Sequence, residues 1–102
     1  MKLIFAIVNR DDTQEVSSAL TGEGFAVTKM ATTGGFLMAG NTTLLIGVED
    51  RFVDDVISII EKHSKKRTKL VSSRAKTANA KMELTVGGAT IFVTDVERYE
   101  KV

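Results

Sequence analysis

The chain has 102 residues, 43% of them hydrophobic, with 14 Lys or Arg against 13 Asp or Glu and a net charge of +1. That length suits one domain over residues 1–102, and the absence of cysteine excludes disulfides, zinc ribbons and thiolate catalysis. A single histidine, His63, argues against multi-histidine metal centres and Ser-His-Asp triads. Leu3–Val8 is a continuous apolar run rich in β-branched residues and reads as a strand buried on both faces. Asp12-Thr-Gln-Glu15 has the pattern of a capping box, Val16, Ala19 and Leu20 follow at helical spacing, and Thr21-Gly22 marks the end of that helix. Phe25–Ala31 reads as a second strand and Asn41–Val48 as a third, joined by a loop with three glycines over Thr32–Gly40. Asp50 stands where a helix cap belongs, and Val53, Val56, Ile57 and Ile60 then form one apolar stripe. In the basic stretch that follows, Leu70-Val71 reads as a short edge strand and Ser72–Ala80 as a flexible loop. Met82, Leu84 and Val86 alternate with polar residues, and the strand pattern resumes at Ala89–Val93. Gly87-Gly88 between them suggests a bulge or a close backbone approach. The tail, Asp95–Val102, is polar and reads as a turn or short helix.

The order strand, helix, strand, strand, helix, strand is that of an α+β, ferredoxin-like βαββαβ sandwich, with an antiparallel sheet and two helices on one face. The other face of that sheet is left bare. Because Leu3–Val8 and Leu44-Leu45-Ile46 have no polar side, the bare face is apolar, and packing of sheets from several subunits is expected. No apolar run approaches the ~20 residues of a membrane helix, so no membrane insertion is expected. The run after Met1 and Lys2 is too short for a signal peptide, which makes the cytoplasm the expected location.

Charge is distributed unevenly. Residues 1–61 carry four basic and nine acidic side chains, and residues 62–102 carry ten and four. From Lys62 to Lys81 there are eight basic residues and no acid, a stretch that attracts phosphate or serves only as a solvated surface. It contains no aromatic residue for base stacking, so nucleic acid is not an expected partner.

The stretch Thr28-Lys-Met-Ala-Thr-Thr-Gly-Gly-Phe-Leu-Met-Ala-Gly-Asn-Thr-Thr43 resembles the signature of PII-like cyclic di-AMP receptors. Ala6-Ile-Val8 and Val86-Gly-Gly-Ala-Thr-Ile-Phe-Val93 extend the likeness over nearly the whole chain. The resemblance implies a homotrimeric, non-enzymatic signalling protein with one cyclic dinucleotide in each cleft between subunits. It implies no metal and no cofactor, and a downstream protein partner that the sequence does not name. Carried over residue by residue, Thr28, Gly35, Phe36, Leu37, Asn41, Gly47, Gly87 and Gly88 line the cleft. Such a ligand needs a stacking face, amide-type donors and acceptors, and anion donors. Phe36 offers the first, Asn41 with the hydroxyls of Thr28 and Thr42 the second, and glycine backbone N–H groups the third. Lys69, Arg74 and Lys101 are candidate phosphate contacts. The plainer alternatives are a turn at Gly34-Gly35, interface anchors at Phe36 and Leu37, backbone satisfaction by Asn41 and Thr42, and a bulge at Gly87-Gly88.

Departures from the family pattern are specific. Gly24 and Ala26 stand where its ligand-binding members carry an Asn and an Arg on the second strand, Met38 where an Arg is common, and Lys101 where an amide side chain is usual. A second reading is therefore a trimeric interaction module that has lost the nucleotide and regulates a partner through its loops. A small ferredoxin-like enzyme is a third, but no catalytic constellation is visible.

Overall fold

In a computed structural model of the chain, described over residues 1–30, 40–72 and 81–102, the first apolar run becomes strand β1, Lys2–Asn9. Residues 66–72 and 81–87 are described by their backbone alone. A 3-10 turn at Arg10–Asp12 leads into helix α1, Thr13–Gly22. Strands β2, Val27–Met30, and β3, Asn41–Val48, follow. A second 3-10 turn, Asp50–Phe52, opens helix α2, Val53–His63. Strands β4, Lys66–Ser72, β5, Lys81–Gly87, and β6, Ala89–Asp95, complete the order.

β1 pairs antiparallel with β3 on one side and β6 on the other, and β2 extends the sheet beyond β3. The resulting order, β2-β3-β1-β6, is the ferredoxin-like arrangement. Alternation along each strand decides what is buried. Ile4, Ala6 and Val8 of β1, with Leu44, Ile46 and Val48 of β3, pack against Val16 and Leu20 of α1 and Val56 and Ile60 of α2. Removing each of the Val, Leu and Ile side chains among these from water stabilises the fold by about 1.5–3 kcal/mol. The opposite parity, Leu3, Phe5 and Ile7, is only half-buried, so β1 is covered by helices on one face alone.

Three local expectations are corrected. Asp12 makes no side-chain cap to α1; it is buried, and its carboxylate accepts the Lys65 N–H at 3.1 Å. Asn9 instead caps the first turn, accepting the Asp11 N–H at 2.8 Å. Asp50 likewise does not cap α2; it lies in the second 3-10 turn and pairs with the amino group of Met1 at 2.9 Å. α1 ends at Gly22 as expected and the left-handed conformation after it falls to Gly24, at φ +90°, but β2 begins two residues later than the sequence pattern suggests. The tail after Asp95 forms no helix.

The pattern from Met82 to Val93 is not one interrupted strand. β5 pairs with β4 in a separate two-stranded sheet, and Gly88, at φ +76°, redirects the chain into β6. The base of this hairpin is tied down where the Gly88 N–H donates to the Lys65 carbonyl at 3.1 Å.

Candidate functional site

The face of the sheet away from the helices carries Leu3, Phe5 and Ile7 of β1, Thr28 and Met30 of β2, Thr43, Leu45 and Gly47 of β3, and Phe92 of β6. Phe5 lies opposite both Leu45 and Phe92 in the register, and Phe92 is 56% exposed. Of these apolar side chains Met30 and Phe92 are exposed, and Leu3, Phe5, Ile7 and Leu45 are half-buried.

At one end of that face is a recess of about 380 Å³. Leu3, Ala26, Leu45 and Val96 supply its apolar surface, Gly47 leaves one wall without a side chain, and Thr28 and Tyr99 bring hydroxyls. Met1 also lines it, its amino group paired with Asp50 at 2.9 Å, and no Asp, Glu, Lys, Arg or His side chain among the described residues does. An uncharged recess favours the flat, weakly polar part of a ligand and leaves anionic groups at its mouth. A second recess of about 400 Å³ shares Met1, Ala26 and Gly47 with the first and continues past Gly24 to Phe52, with Glu23 and Glu49 on it. The two meet at Met1, Ala26 and Gly47. Phe25 and Phe52 close the far side as an edge-to-face pair 5.8 Å between centroids, and the Arg51 guanidinium lies 4.7 Å over Phe52.

The sequence candidates divide between two places. Thr28 and Gly47 line the first recess. Asn41 and Thr42 open β3 at the other end, opposite Asn9 and Val8, and Gly88 lies beside Ala89, which also pairs with Val8. Six residue steps along β3 lead from Asn41 to Gly47, roughly 20 Å at about 3.4 Å per step. Thr42 shares its parity with Leu44 and Ile46 and so lies on the helix side of the sheet, apart from Thr28 and Gly47. Lys101 is exposed in the tail. Gly35, Phe36, Leu37 and Arg74 lie outside the described residues, as do the side chain of Lys69 and the glycine loop as a whole; Gly87 is described as the last residue of β5.

Sequence reasoning missed Tyr99 as a lining residue. Its signal was available, since it is the one large apolar ring in a charged tail. His63 lies in the last turn of α2, where its Nδ1 is 3.5 Å from the Glu15 carboxylate of α1. Among the described residues no group of three or more Asp, Glu or His is placed to hold a metal ion, and no helix is long and apolar enough to cross a membrane.

A four-stranded antiparallel sheet with two helices on one face and a neutral recess on the other defines a small PII-like α+β protein built to bind. A family model described as cyclic-di-AMP receptor matches residues 1–102, and the chain belongs to that family. It is also similar to the crystal structure of a functionally unknown protein from Pediococcus pentosaceus ATCC 25745. That likeness has 37% identity over 99% of this chain and 96% of that one, and a TM-score of 0.74.

Proposed function

We infer that this protein is a cytoplasmic, non-enzymatic PII-like signalling protein, one domain over residues 1–102, that binds cyclic di-AMP or a related adenine nucleotide in clefts between the subunits of a homotrimer. Membership of the receptor family over the full chain carries this reading. Two features of the fold support the assembly. The apolar face around Phe5, Leu45 and Phe92 is not covered by either helix, and the described candidate site residues lie toward opposite ends of the sheet. A cleft between neighbours brings the Thr28 and Gly47 end of one subunit to the Asn41 and Gly88 end of the next, joining groups that a single chain keeps apart. Gly35, Phe36 and Leu37 belong to that cleft by family likeness, Thr42 is at its rim, and Lys69, Arg74 and Lys101 are the phosphate contacts. Ligand then favours one state of the glycine loop and the basic loop, and the changed surface is what a partner protein reads.

Calorimetric titration with cyclic di-AMP, ATP and ADP tests this. Heat of binding with cyclic di-AMP is expected, and Asn41→Ala is expected to weaken it by about tenfold, the loss of a hydrogen bond pair to a base edge. Absence of heat with all three nucleotides removes the small-molecule reading. It favours instead the trimeric interaction module without nucleotide, to which Gly24 and Ala26 point by leaving two polar contacts unmade.

A further inference from the structure

The neutral recess has one aromatic lining residue, and it comes from the irregular tail. Tyr99 is 64% exposed, so its ring is not a core side chain whose position packing alone explains. The tail is nevertheless fixed where it leaves the sheet. Asp95 is paired with Lys2, and the Val96 N–H donates to the Met1 carbonyl at 3.1 Å. Next to the ring, Arg98 and Glu100 pair with each other at 2.7 Å. What remains at this end of the sheet is a planar ring held beside apolar surface from Leu3, Leu45 and Val96, with the Thr28 hydroxyl in the same recess.

We propose that Tyr99 is the stacking wall of a base subsite, in which one purine ring of the nucleotide enters the 380 Å³ recess and lies against the tyrosine ring. This rests on the reading of the protein as a nucleotide receptor and adds a specificity-determining residue to it. Charge fixes the orientation. Among the described residues no basic side chain lines the recess, the Met1 amino group is already paired with Asp50, and Glu23 and Glu49 on the adjoining recess disfavour a phosphodiester. A purine, by contrast, gains a π-face contact from Tyr99 and a hydroxyl from Thr28 for one base edge. The small residues at Ala26 and Gly47 leave room for the ring instead of reaching into the recess to bond it. Aromatic stacking therefore does here what polar side chains do in relatives that carry Asn and Arg at positions 24 and 26.

The chain contains one tyrosine and no tryptophan, so its intrinsic emission reports on this position alone. Cyclic di-AMP is titrated into the full-length protein with calorimetry and tyrosine emission followed in parallel, using a free tyrosine amide to correct for absorbance by the nucleotide. Quenching that saturates together with the heat is expected. Tyr99→Leu is expected to weaken binding on the order of tenfold, the loss that removing one base-aromatic stack produces, while Tyr99→Phe stays within about twofold. Circular dichroism melting checks that both variants fold. Heat of binding with unchanged emission, or with full affinity in Tyr99→Leu, overturns the proposal and leaves the receptor reading standing. No heat in the unmodified protein removes the receptor reading, and the base subsite falls with it.

Discussion

Asp50 shows how far a residue's sequence pattern and its structural role can diverge. As an acid before an amphipathic run it looks like a helix cap, yet its carboxyl is taken by the amino group of Met1 at 2.9 Å. That hydrogen bond, with the attraction of the amino group and of Lys2, holds the Asp50 carboxyl below its ordinary range. A lowered value in the folded state means that the pair contributes stability above the unfolded value, about 3.9. The contribution is lost as pH falls through the folded value. Titration followed by carboxyl carbon chemical shifts should therefore give Asp50 a midpoint below that of an aspartate in a model peptide, and acetylation of the Met1 amine should restore it. An ordinary midpoint with the amine free would show that the pair does not form. The same residue-scale lesson applies to Tyr99. No periodicity marks a tail residue as part of a recess, because the contact depends on where Asp95 and Val96 attach to the first strand.

Elements whose signal is periodic were legible in the sequence, and the one held by a distant contact was not. β3 has the bounds that its apolar pattern gives, Asn41–Val48, and α2 buries Val56 and Ile60 from its expected stripe. The order of four strands and two helices also stands. The β4–β5 hairpin was missed in part. The strand pattern of Met82, Leu84 and Val86 resumes at Ala89 after the glycine pair, and only the left-handed turn of Gly88 shows that the two strands belong to two sheets. Its anchor was invisible for a physical reason: a capping box is read within four residues, whereas the Asp12 carboxylate finds the Lys65 N–H 53 residues away. Asp12→Ala is expected to cost about 1.5–3 kcal/mol, the range for a buried hydrogen bond to a charged group. Denaturant unfolding measures that loss, and faster hydrogen exchange at the Lys65 amide would localise it to the hairpin base. A change below about 0.5 kcal/mol would mean that the contact does not hold the hairpin.

At the scale of the whole molecule, the sequence carried the family and the bare apolar face but not the geometry of a shared site. Thr28 and Gly47 meet in the recess; Asn41 and Gly88 stand at the far end of the same sheet. In the proposed function a neighbouring subunit closes that distance, so the assembly is the claim to test first. Native mass spectrometry of the purified protein with cyclic di-AMP at micromolar concentration tests it most directly. The account predicts a species of about three times the 11.1 kDa protomer carrying three nucleotides. A single 11.1 kDa species without nucleotide would contradict it.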